Sequence, residues 1–157
     1  MISVSFHGVR GSTPCHGPET HHYGGNTSCV SLCADGQVPV VFDLGTGLRY
    51  FGKQCGDTGA FRAVCLLTHL HYDHIGNFDK FPRARFHLQD AELAYATGRY
   101  MAKPFFSGAY EVDEVVAMVR NVYAGRVQFH QGDVQLAPNI SLHLIGGHTR
   151  GLQAVRL

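Results

Sequence analysis

Residues Thr68–Asn77 read THLHYDHIGN, and this stretch decides how the chain is understood. It holds His69, His71, Asp73 and His74, three imidazoles and a carboxylate within six positions. An apolar run, Val64 to Leu67, leads in, and Ile75-Gly76-Asn77 leads out into a turn. His69 and His71 alternate, so on extended backbone they share one face. Asp73 and His74 fall just past the bend and can serve a second position nearby. Imidazole and carboxylate donors suit zinc, with manganese or iron as alternatives. A chance surface cluster of histidines would lack the apolar strand ahead of it and the interleaved Asp.

Outward from this motif, the chain reads as alternating strands and helices. Ile2–Phe6, Cys29–Cys33, Val38–Leu44, Ala84–Leu88, Val127–His130, Ile140–Ile145 and Leu152–Leu157 have the pattern of strands. Leu48–Gln54, Gln89–Met101 and Val112–Tyr123 read as helices, with Pro104 and Gly108 breaking the chain between the last two. Val112, Val115, Val116, Val119 and Val122 form a stripe at helical spacing, expected to face the core. Asp43 closes a buried strand and precedes Leu44-Gly45-Thr46-Gly47. It can orient a metal ligand or cap the turn through backbone amides. Arg10 and Ser12, in a Gly/Pro loop, can hold an anion or simply shape a tight turn. His21 and His22 lie outside any metal spacing and read as solvent-exposed.

Composition narrows the class. A chain of 157 residues with 45% hydrophobic and 16% charged content forms one globular α/β domain with a real core. A net charge of +1 gives no electrostatic argument for nucleic acid or a membrane surface. The five cysteines make no CxxC pair and read as reduced thiols of a cytoplasmic protein. No signal peptide or membrane span is expected.

THLHYDHIG resembles the metal-binding motif of the metallo-β-lactamase-fold hydrolases. The likeness has two parts. FHGVRGSTPCHGPETHHYGGNTSCVSL and VVFDLGTGLRYFG, within residues 1–75, resemble the ribonuclease Z and phosphodiesterase-related branch. THLHYDHIGNFDKFPRARFHLQDAELAYATGRYM and IGGHTRGLQAVRL, within residues 66–157, resemble the N-acyl-homoserine lactonase branch. The preferred reading is a chimera joined inside the shared stretch; the alternative is a natural member with an unusual N-terminus.

The resemblance implies a four-layer αββα sandwich with one or two metal ions between its sheets. Residues 1–157 would be a single domain matching its N-terminal half. It makes His148, in Gly146-Gly147-His148-Thr149, the third imidazole of a first metal position with His69 and His71. On its own, a histidine after two glycines reads as a surface turn. Asp73 and His74 match ligands of a second position. The family's bridging Asp and final His come from a later half that nothing here matches.

The function expected from this is zinc-dependent hydrolysis of ester, lactone or phosphodiester bonds at low rate. Asp73 would orient the attacking water or take its proton, and Arg10 and Ser12 would contact substrate. The alternative is a metal-binding half-domain without significant catalysis. Strands apolar on consecutive positions want cover on both faces, which predicts a two-fold homodimer packed sheet against sheet.

Overall fold

The structure is a computed structural model that describes residues 1–56 and 62–157. Six strands form one sheet in sequence order: β1 (Ile2–Gly8), β2 (Cys29–Ala34), β3 (Val40–Phe42), β4 (Val64–Leu66), β5 (Arg85–Gln89) and β6 (Val127–His130). β1–β2 and β2–β3 pair antiparallel, and β3 to β6 run parallel. Parallel neighbours need crossovers. Helix α1 (Leu48–Cys55) supplies the one from β3 to β4, and α2 (Tyr72–Ile75) lies between β4 and β5. Between β5 and β6 the chain makes α3 (Asp90–Ala96), α4 (Pro104–Ser107) and α5 (Val112–Tyr123). A second, antiparallel sheet follows: β7 (Val134–Ala137), β8 (Ile140–Leu144) and β9 (Gln153–Arg156).

The main core lies between the large sheet and its helices. Val41, Cys65, Leu67, Phe86 and Leu88 pack there with Leu48, Phe51, Val115 and Met118. Phe51, Phe86 and Met118 are almost wholly buried, each stabilising the fold by about 1.5–3 kcal/mol. Because β3, β4 and β5 run parallel, the loops after them emerge along one edge of the sheet.

Alternation puts other side chains on the opposite face. Phe6, Val30, Phe42, Leu66 and His87 are register neighbours in one row across the sheet. Burial changes along that row. Leu66 is 1% exposed, Phe42 is half-buried and Phe6 is 72% exposed. The small sheet meets this face at its β4–β5 end. Gln153 on β9 donates to the carbonyls of Leu67 and His87 at 2.7 and 3.0 Å and accepts from Gln89 at 3.0 Å. Ile2, Val4 and Phe6 of β1 remain open.

Three expectations change. The helix expected over Gln89–Met101 ends at Ala96, where the Thr97 hydroxyl bonds back to the Leu93 carbonyl. A separate 3-10 turn covers Arg99–Ala102. The valine stripe of α5 is only partly its buried face, with Val119 and Val122 half-buried. Val115, Met118 and Asn121 are buried, whereas Val112 and Val116 are 70% and 42% exposed. Asn121 turns inward because its side-chain oxygen accepts from the Arg126 guanidinium at 2.9 Å. Pro104 and Gly108 do interrupt the chain, but a short helix with Pro at its start lies between them. Strand β7 was not anticipated.

His87 and His130 meet on the covered face, Nδ1 to Nε2 at 2.9 Å. Burial pushes the His87 pKa down from 6.5 to about 4, with the His130 and Arg85 charges acting the same way, and burial lowers His130 as well. The unfolded imidazoles bind protons near pH 6.5 and the folded ones only at lower pH. Stability from this pair is therefore full above about pH 6.5 and lost as pH falls towards about 4. Urea melts at pH 7 and pH 4.5 should show a loss that His87→Asn reduces by roughly 1–2 kcal/mol, allowing for solvent screening.

Candidate metal centre

β4 ends at Leu66, and extended backbone then carries His69 and His71 to the start of α2, with His71 as its N-cap residue. The turn after β8 carries His148 to the same place. The ligand nitrogens of His69, His71 and His148 all lie within 4.8 Å of one another. Their rings pack edge to face at 4.5, 5.0 and 4.7 Å between centroids. This is room for one ion bound by three imidazoles. His69 is buried, His71 half-buried and His148 exposed.

The protonation state suits a metal. Burial, with the neighbouring His74, His71 and His148 acting the same way, pushes the His69 pKa down to about 2. Burial and His148 hold His71 near about 4, against a smaller upward pull from Asp73. Both rings are neutral at pH 7, the form that ligates. The Thr68 hydroxyl lies 3.0 Å from His69 Nδ1. With the ring proton there, Nε2 carries the free lone pair. Nε2 is buried and has no hydrogen-bond partner among the described residues. A buried bare imidazole nitrogen aimed at two others is what a tightly held cation would satisfy.

His74 has a different character. Its Nδ1 lies 2.7 Å from Asp43 Oδ2, and its Nε2 3.4 Å from Asp73 Oδ2. Burial alone would lower its pKa. The hydrogen bond and charge of Asp43, then Asp73 and Glu92, reverse this and raise it. Asp73 also accepts the Ser12 backbone amide at 2.7 Å. The loop carrying Ser12 is thereby tied to the site, with Ser12 at a positive φ of 64°. Arg10 is exposed, and its Nε donates to the Thr13 carbonyl. His21 and His22 are exposed, away from the cluster.

Asp43 bonds both a histidine of the motif and a backbone amide, though the amide belongs to the loop after β4 and not to its own turn. Oδ1 accepts the Thr68 backbone amide at 2.8 Å, and Oδ2 accepts from Ser28 at 2.9 Å and from His74. It holds this position at a φ of 56°, a conformation Asp tolerates better than most residues. Gly45 lets the following turn run against α2, since a Cβ there would lie 2.3 Å from the Asp73 carbonyl.

Sequence reasoning passed over Thr68, Glu92, Tyr110, Thr149 and Gln153. Thr68 stood inside the quoted motif. Tyr110 packs edge-on against His71 at 4.7 Å, and its hydroxyl reaches Glu92 at 3.4 Å. Nothing in their spacing linked these residues to the histidines.

No protein-family profile matches the chain, and no curated protein matches it by sequence. Solved structures do. A Thermotoga maritima protein assigned to the metallo-β-lactamases aligns over 98% of this chain and 71% of its own, at 17% identity and a TM-score of 0.65. A quorum-quenching N-acyl homoserine lactone hydrolase aligns over 82% of this chain and 55% of its own, at 18% identity and a TM-score of 0.62. The dizinc quorum-quenching lactonase AidC, in complex with its N-hexanoyl-L-homoserine product, gives 82%, 51%, 18% and 0.57.

The chain has the metallo-β-lactamase fold.

It spans about half the length of the lactonases it matches. No helix among the described residues is long and apolar enough to cross a membrane.

Zinc added to the metal-free protein should bind at the histidine trio. His71→Ala should weaken binding by about 3 kcal/mol, roughly a hundredfold. Zinc content unchanged in both His71→Ala and His148→Ala, measured by elemental analysis, would refute this site.

Proposed function

We propose that this chain is a zinc-dependent hydrolase acting on ester or lactone bonds, with modest turnover. The observation that carries the reading is His69 Nε2, buried and unpartnered and facing His71 and His148. Zinc held by His69, His71 and His148 would acidify water and polarise an acyl oxygen. Manganese or iron would fit the same donors. A second ion beside Asp73 and His74 is the further possibility that the likeness to a dizinc lactonase suggests.

The chain's own residues would do the rest. Asp73, steadied by the Ser12 amide, orients the attacking water and takes its proton. His74, held by Asp43, keeps the Asp73 carboxylate turned inward. Arg10 meets a polar end of the substrate. An acyl substrate is preferred to a phosphodiester because Ser12 spends its amide on Asp73, so the loop offers less to a phosphate. Likeness to lactonases supports the same choice. The competing reading, a metal-binding half-domain without turnover, is favoured by the chain's match to about half of those proteins.

A two-fold homodimer belongs to this proposal. The face that β1 leaves open carries Ile2, Val4 and Phe6, a contiguous apolar surface of the kind a partner would cover. β1 and β9 are both sheet edges. Stacking this face on its copy would lay β1 of one chain beside β9 of the other. The cytoplasm, where thiols stay reduced, is the proposed location; all five cysteines are unpaired.

Two measurements test this. Zinc-loaded protein should hydrolyse an N-acyl homoserine lactone or a 4-nitrophenyl ester faster than bis(4-nitrophenyl) phosphate. Asp73→Asn should cut the rate by about 10²-fold or more while retaining zinc at the trio. Activity that survives exhaustive chelation would exclude metal catalysis. Light scattering after size exclusion should give twice 17.2 kDa at micromolar concentration, and a monomer would remove the dimer.

A further inference from the structure

The two ligand-bearing loops come from distant parts of the chain. Leu70 sits between His69 and His71, on the loop after β4. Thr149 and Gly151 follow His148, on the loop before β9. One side chain on α3 holds both. Glu92 is 0% exposed. Its Oε1 accepts the Leu70 backbone amide at 2.9 Å and the Tyr110 hydroxyl at 3.4 Å. Its Oε2 accepts the Thr149 hydroxyl at 2.6 Å and the Gly151 amide at 3.0 Å. Gly151 permits the approach, because a Cβ there would lie 2.3 Å from the Glu92 backbone nitrogen.

The donors to Glu92 are all uncharged. Neutral hydrogen bonds offset part of the cost of burying a carboxylate, and a nearby cation would offset more. A dication at the histidine trio would be such a cation. The same carboxylate also sets how far apart the two loops stand, and hence the separation of His148 from His69 and His71. Geometry and charge act in the same direction: each favours the metal-bound arrangement.

We infer that Glu92 is a positioning residue for the metal centre, clamping the His69–His71 loop to the His148 loop and supplying a buried counter-charge to the bound ion. This rests on the metal reading of the trio. Glu92 touches neither the ion nor the substrate; it acts through Leu70, Thr149 and Gly151. A purely structural Glu92 would change stability without changing how the ion is held.

The experiment compares wild type with Glu92→Gln and Thr149→Val. Glu92→Gln keeps the shape but removes the charge and presents an N–H group to at least one existing donor. Thr149→Val removes one bond on the His148 side alone. Zinc affinity is read by competition with a chromophoric chelator, and ligand geometry by the visible absorption of the cobalt-substituted protein. Glu92→Gln should weaken zinc about 10–100-fold. Thr149→Val should weaken it several-fold, and both should shift the cobalt spectrum. Wild-type affinity and spectrum in a folded Glu92→Gln would overturn the inference. If that variant does not fold, the same result in Thr149→Val would do so. Hydrogen exchange of metal-free protein separates this inference from the metal reading. Should wild type take up no zinc, the metal reading and the counter-charge fall together. The clamp is then judged by the Leu70 and Gly151 amides. It stands if they exchange more than about tenfold faster in the variants, and falls if they do not.

Discussion

Two buried carboxylates hold the loop after β4 from its two sides, and the site depends on them. Asp43 is 2% exposed and Glu92 0%. Asp43 fixes the start of the loop through the Thr68 amide and its far end through His74. Glu92 fixes the middle through the Leu70 amide and joins it to the turn bearing His148. A buried carboxylate is costly unless fully bonded, so each acts as a strong constraint on the groups that serve it. Between these two anchors, His69 and His71 have little freedom to point elsewhere. Rigid presentation of this kind lowers the ordering cost that a metal would otherwise have to offset.

The same two anchors divide the imidazoles into two kinds. His69 and His71 lie where burial and neighbouring rings disfavour protonation, and they stay neutral donors. His74 lies between Asp43 and Asp73, where negative charge outweighs burial and favours the proton. Side chains from one short stretch thus acquire opposite electrostatic roles through what the fold sets beside them. The carboxylate that faces open space, Asp73, is steadied by a backbone amide from the N-terminal loop. Every segment that reaches the site therefore contributes a group that restrains it.

The two faces of the large sheet are covered unequally. Its helix face is closed by α1, α3 and α5. Its other face is closed where Gln153 ties β9 to β4 and β5, and open towards β1. The histidine cluster lies at the closed end, on the loops after β4 and before β9. The open end carries none of the proposed ligands.

Much of the fold was legible in the sequence because local periodicity encodes it. Alternation in Ile2–Phe6, the apolar run at Val64–Leu67 and the helical spacing over Val112–Tyr123 each identified an element. His69, His71, Asp73 and His74 were legible because they share ten residues. Burial within an element was less so: Val116 looked like core and is exposed, while Asn121, outside the valine stripe, is buried and bonded to Arg126. His148 alone read as a surface turn, and only resemblance to a family linked it to the others. The tertiary structure brought its ring within 4.7 Å of His71. Glu92 carried no signal in the sequence. Its role as a junction depends on Leu70, Thr149 and Gly151 converging from two loops, and sheet register decides that convergence. Pattern along a chain records which face a residue takes; it does not record which distant residue that face will meet.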